Sequence, residues 1–141
     1  MIIDSHCHLD YEPMINSLDE TVARALKNRV ELILTISVKE KSYINIKKII
    51  EKFKCVYGTY GIHPHEAKDH LHIDTNDIKE KILSNDKFIG IGETGLDFFY
   101  NHSEKNDQID MFNRHIEAAA ILNKPLIIHS RSAENEMIET M

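Results

Sequence analysis

The chain has 141 residues, 42% of them hydrophobic and 28% charged, enough apolar content for one core of ordinary size. No apolar run approaches the roughly 18 residues that a membrane-spanning helix needs. No basic segment precedes the apolar start, so no signal peptide is expected and a cytoplasmic location is. With 23 acidic against 17 basic residues and a formal charge of −6, a broad basic clamp on nucleic acid is excluded, although a nucleic-acid substrate gripped locally is not.

Residues 2–5 read as a strand, because Ile2 and Ile3 are β-branched and the turn-forming pair Asp4-Ser5 follows. His6 and His8 stand just beyond it. On extended backbone, side chains two positions apart share a face, so both imidazoles can reach one cation. Cys7, between them, is expected to point the other way, toward covering helices. Leu18, Val22 and Leu26 then share a helical face, with Ser17-x-x-Glu20 in front as a capping box.

Residues 31–37 form the second expected strand. Tyr43, Ile46, Ile50 and Phe53 make the second helical stripe. Around it Lys39, Lys41, Lys47, Lys48, Lys52 and Lys54 are mixed with Glu40 and Glu51, which reads as a solvated helix face. The third strand, residues 55–61, runs into Gly61-Ile-His-Pro-His65. Cys55 opens it, at the end of the sheet away from Cys7, so the two cysteines are not expected to pair.

After a polar loop over residues 69–77, Ile78 and Ile82 begin a third stripe. The fourth strand, residues 88–92, runs into Gly92-Glu-Thr-Gly-Leu-Asp97. Residues 100–107 form a second polar loop. Ile109, Phe112, Ile116, Ala119 and Ala120 make the longest helix, ended near Asn123 by Pro125. The fifth strand, residues 125–129, ends at His129, with Ser130 and Arg131 behind it. A last helix is expected from Ser132.

This alternation defines an α/β fold in a single domain over residues 1–141. Continuous apolar strands point to a parallel sheet buried on both faces. The crossovers suit either an open doubly wound sheet or a closed barrel. In both, the ligand-binding rim lies at the C-terminal ends of the strands. Five of the nine histidines fall on that rim: His6, His8, His63, His65 and His129.

Glu93, between Gly92 and Gly95, is placed to bridge two cations with one oxygen each. His63 and His65 flank Pro64. They are candidates for a hydrogen bond to a metal ligand, a phosphate contact or a proton donor. Arg131 suits phosphate oxygens, or else a salt bridge at the start of the last helix. Asp97 either forms a turn or holds a ligand histidine by hydrogen bond. His70, His72, His102 and His115 carry no expected role. Mixed histidine and carboxylate donors suit Zn, Mn, Fe or Co, while Mg prefers oxygens. No serine or cysteine lies in a nucleophile-elbow pattern, which favours an activated water over a covalent intermediate.

Four segments together resemble the TatD family of metal-dependent hydrolases and deoxyribonucleases. They are Ile-Ile-Asp-Ser-His-Cys-His-Leu-Asp, Gly-Ile-His-Pro-His, Ile-Gly-Glu-Thr-Gly-Leu-Asp and Pro-Leu-Ile-Ile-His-Ser-Arg. The resemblance implies a TIM-type (β/α)8 barrel, here reaching about five βα units, since such a barrel takes about 250 residues. It implies two divalent ions (Zn, Mn or Mg), with His6 and His8 on one, Glu93 bridging, and His129 on the other. It implies a DNA substrate, cleaved at phosphodiester bonds in the manner of a 3′ exonuclease. Ser132 and Asn135 depart from acidic positions usual in the family, and its later histidine ligand and late aspartate have no counterpart in this chain.

A site with part of the family's ligand set predicts a weak or inactive 141-residue chain. Open sheet edges predict self-association or pairing with a complementing C-terminal fragment. Two other readings stand beside this one. One is a degenerate fragment without catalysis. The other is a different metal hydrolase with the same H-x-H opening, such as a histidinol-phosphatase-like or amidohydrolase-like enzyme. Many amidohydrolases carry a modified lysine where this chain has Glu93, which counts against them.

Overall fold

The computed structural model describes residues 1–141. Five strands, β1 (Ile2–Cys7), β2 (Val30–Thr35), β3 (Val56–Tyr60), β4 (Phe88–Asp97) and β5 (Leu126–Arg131), form one sheet. Five helices follow them in turn: α1 (Leu18–Lys27), α2 (Glu40–Lys52), α3 (Thr75–Leu83), α4 (Lys105–Leu122) and α5 (Glu134–Thr140). Short 3-10 turns at Met14–Ser17 and Pro64–Asp69 fill the first and third connections.

All four strand pairs are parallel, and the order across the sheet is β1-β2-β3-β4-β5. This order settles the choice left open by the sequence. A doubly wound sheet reverses direction at a switch point, so its spatial order departs from its chain order. An order that never reverses is that of a barrel wall, and the chain is an α/β half-barrel.

The main core lies between the sheet and its helices. Ile46, Ile49 and Ile50 of α2, Ile78 and Ile82 of α3, and Met111 of α4 meet Ile33, Val56, Tyr60, Phe88 and Ile91 of the strands. Each such side chain, when fully buried, stabilises the fold by about 1.5–3 kcal/mol. A smaller cluster, Leu96, Phe112, Ala133 and Met137, joins the ends of β4 and α4 to α5.

The expectation of a sheet buried on both faces holds for β3 and for β4 apart from exposed Ile89, and fails for the outer strands. Ile2, Ile3 and Ile128 are exposed, because β1 and β5 each have one neighbour only.

Other differences have local causes. The capping box at Ser17 does not form. The 3-10 turn runs straight into α1, and the Ser17 hydroxyl turns to Pro13 O and Thr21 Oγ1. A capping box that sequence reasoning missed joins Asp74 and Asp77 ahead of α3, in the segment expected to be loop. Leu26 is exposed, and Ala25 packs in its place. The last helix starts at Glu134 rather than Ser132, whose φ of 52° is not helical. Cys7 sits half-buried against the main core, where burial and then Asp4 push its thiol up to about 12. Both cysteines are free, and no helix is long and apolar enough to cross a membrane.

Candidate metal centre

Strand β4 continues five residues past its expected end, so Glu93 lies inside it rather than in a turn. Gly92 and Gly95 flank Glu93 and Thr94 with φ of 138° and 137°, a region that L side chains rarely adopt. A side chain would not fit at either position. Its first carbon would lie 2.4 Å from Ile127 O at Gly92 and 2.0 Å from His129 O at Gly95. The two glycines therefore bring β5, and His129 with it, hard against the strand that carries Glu93.

Buried hydrogen bonds hold Glu93 from the other side. Its amide donates to Ser37 O at 2.7 Å. Thr59 Oγ1 donates to Gly92 O at 2.6 Å and accepts from Ser37 N at 3.1 Å. The Ser37 hydroxyl donates to Gly61 O at 3.2 Å. Sequence reasoning missed Thr59 and Ser37. Both lie in apolar surroundings, and no local pattern marks a hydroxyl that links three strands.

The carboxylate of Glu93 faces two ways. Its Oε2 lies 3.5 Å from His6 Nε2, and its Oε1 lies 3.4 Å from His129 Nδ1. His6, His8 and Glu93 offer three donor atoms within 4.8 Å of one another, and so do His63, Glu93 and His129. His65, Asp97 and His129 make a third such group, also within 4.8 Å. His8 donates Nδ1–H to Ile36 O at 3.0 Å, which leaves its Nε2 lone pair free. A set of imidazoles around a shared carboxylate fits a divalent cation.

Asp97 orders the far side. Its Oδ2 accepts from His65 Nε2 at 2.7 Å and from His129 Nε2 at 3.0 Å, and its Oδ1 accepts from the amides of Phe99 and Tyr100. Burial works to raise its pKa. The Tyr100 amide and the two imidazoles overcome that and hold the carboxyl well below the usual range. Gln108 fixes the backbone beneath, accepting from Asp97 N at 2.8 Å and donating to Asp97 O at 3.1 Å.

His63 is half-buried beside His129 and His65. Desolvation, followed by those two rings, pushes its pKa down to about 3, so it is neutral. Its Nδ1 accepts from His65 N at 3.2 Å. The proton of the neutral ring is therefore on Nε2, which makes His63 a hydrogen-bond donor in this arrangement and leaves it no lone pair for a metal.

A pocket of about 420 Å³ opens here, lined by His8, Tyr11, Val38, His63, His65, Glu66 and Glu93. Of the sequence-predicted residues, His6, His8, His63, His65, Glu93, Asp97 and His129 converge. Arg131 stands slightly apart and forms no salt bridge at the start of α5. Its guanidinium lies over the rings of Phe99 and Tyr100. His102 was given no role, yet its ring centre is 4.6 Å from that of His65. His115 is a buried strut, donating from Nδ1 to Met111 O and accepting at Nε2 from Ile62 N.

Comparison with known proteins places this arrangement. The family described as TatD related DNase matches residues 3–141. The "Uncharacterized metal-dependent hydrolase BU355" of Buchnera aphidicola subsp. Acyrthosiphon pisum is 35% identical over 149 residues, covering 99% of this chain and 56% of that protein. The mouse "Putative deoxyribonuclease TATDN3" is 28% identical, covering 99% of this chain and 52% of its own. The crystal structure of YJJV, a TatD homologue from Escherichia coli K12, superposes with a TM-score of 0.89 at 22% identity over 98% of this chain and 54% of that one. The chain spans about half the length of the curated relatives it matches.

Proposed function

The chain belongs to the TatD related DNase family, and on that premise we propose that it takes part in metal-dependent hydrolysis of DNA phosphodiester bonds, removing nucleotides from a 3′ end. The observation that carries this reading is the two-way carboxylate of Glu93, with one oxygen toward His6 and the other toward His129.

In this reading His6, His8 and Glu93 hold one divalent ion, and Glu93 and His129 hold a second, as Zn, Mn or Mg. Such ions supply an activated water and neutralise charge on the phosphate. The protein's own groups do the positioning. Asp97 accepts hydrogen bonds from Nε2–H of His129 and of His65, so His129 presents Nδ1 to the centre. His63 offers an N–H to a phosphate oxygen, and His65 stands beside it on the pocket wall. Arg131, its guanidinium laid over Phe99 and Tyr100, stands at the edge of the site on the substrate's side. Glu93 is the residue on which catalysis depends most, since both donor groups share it. Two free cysteines accord with a reducing, cytoplasmic setting.

Incubation of the 141-residue chain with a 5′-labelled oligodeoxynucleotide and Mn, Zn or Mg tests this. The expected result is slow shortening from the 3′ end that stops with chelator and with Glu93→Gln. Cleavage indifferent to both would overturn the reading, as would a chain that neither cleaves DNA nor binds any of these metals.

A further inference from the structure

Phe99 and Tyr100 stand on the surface next to the histidine cluster, 60% and 50% exposed. Their rings meet edge to face at 5.0 Å. The guanidinium of Arg131 lies over both, 4.4 and 4.5 Å from the ring centres. Tyr100 lies nearly parallel to His102 at 5.7 Å, and His102 in turn approaches His65 at 4.6 Å. Flat groups therefore run without a break from exposed Phe99 to the pocket wall at His65.

Neither hydrophobic core accounts for these rings. Phe98, immediately before, packs against the smaller core, whereas Phe99 and Tyr100 belong to neither core. The segment is also held firmly. Asp97 Oδ1 accepts from both of their amides, at 3.1 and 3.0 Å. Gln108 Nε2 donates to Asp97 O and Ser103 O, and the Ser103 hydroxyl donates to His65 O. The carboxylate that aligns His65 and His129 through one oxygen thus sets the height of the aromatic pair through the other.

We propose that Phe99, Tyr100 and Arg131 form a stacking surface for an unpaired nucleobase of a nucleic-acid chain whose phosphate lies against His63 and His65. This rests on the phosphodiester reading and adds how the substrate is held. Bases stack on aromatic faces and on guanidinium planes whatever their identity. A base inside a duplex has both faces covered and must leave its stack to use such a surface. The chain's formal charge of −6 makes this contact more telling. With little long-range attraction for phosphates, stacking and local contacts must supply the grip.

The test is binding with chelator present, so that cleavage does not interfere. The probes are an oligothymidylate ending in 2-aminopurine and an abasic phosphodiester chain of equal length. The wild-type chain is expected to quench 2-aminopurine fluorescence and to bind the oligonucleotide about fivefold or more tighter than the abasic chain. The double variant Phe99→Ala, Tyr100→Ala is expected to lose the quenching and bind both probes alike. Phe99→Leu, Tyr100→Leu, which keeps apolar bulk but no π face, is expected to do the same with an unchanged thermal melt. Wild-type protein binding both probes equally, or variants that still quench, would overturn the stacking surface and leave the phosphodiester reading standing. Wild-type protein that binds neither probe, and cleaves no DNA when metal is supplied, would remove both.

Discussion

Asp97 Oδ2 and His129 Nε2 lie 3.0 Å apart, and this contact decides which nitrogen of His129 faces Glu93. With Nε2 committed as a donor, Nδ1 is the free lone pair, 3.4 Å from Glu93 Oε1. Replacing Asp97 with Asn keeps the volume but loses the charge that receives two N–H groups. Asp97→Asn is expected to weaken divalent-metal affinity by about 10–100-fold, the usual consequence of removing such a partner. Isothermal titration with Mn or Zn measures it, and unchanged affinity would refute the role given to Asp97.

Because Glu93 belongs to two donor groups at once, its loss should cost more than one ion. Glu93→Gln is expected to retain fewer divalent ions per chain than the wild-type protein, counted by elemental analysis after dialysis. The same ions should stabilise the wild-type fold, since ligands that bind only the native state raise its melting temperature. At about 100 times the Kd the rise should be about 5–10 °C and reversible with chelator. A rise of equal size in Glu93→Gln would mean that metal binds elsewhere.

Gly95→Ala tests the backbone that joins the two halves of the centre. The new methyl group would meet His129 O at 2.0 Å, on a residue with φ of 137°. The β4–β5 pairing must yield. Urea unfolding is expected to show a loss of about 2–4 kcal/mol, with weaker metal binding through displaced His129. An alanine variant of wild-type stability would mean that the strand pair is not so tightly closed.

Buried His115 should make stability depend on pH. Desolvation pushes its pKa down to about 4 in the folded protein, against the ordinary 6.5 when unfolded. Between those values the unfolded chain binds the proton and the folded chain does not, so stability is full above pH 6.5 and falls as pH drops toward 4. His63, lowered to about 3, adds in the same direction. His115→Gln keeps a donor and an acceptor but cannot titrate, so it should flatten part of this slope. Urea midpoints from pH 4 to 7 compare the two proteins, and parallel slopes would contradict the assignment.

Much of the fold was legible because its signals are local. The stripes of α2 and α4, the β-branched strand runs and Pro125 behind the longest helix each act over a few residues, and all five strands and five helices stand where these placed them. Boundaries failed where a neighbour intervened. Pairing with β5 extends β4 from Gly92 to Asp97. The turn at Met14–Ser17 takes Ser17 away from capping, and Ser132 leaves the helical region as β5 ends. His115, Thr59 and the exposed pair Phe99 and Tyr100 were not legible as a strut, a link and a surface, because what defines each is a partner distant in the chain.

Sequence alone determined that the fold is α/β, that histidines gather at the strand ends, and that His6 and His8 stand close together, since two residues of extended backbone suffice to align them. Only the tertiary structure decided that Glu93 reaches both His6 and His129. That depends on the parallel register setting Gly95 opposite His129, and on two glycines at which no side chain fits. Contacts between strands are fixed by hydrogen-bond ladders and close backbone approach, which leave no periodic trace along one chain.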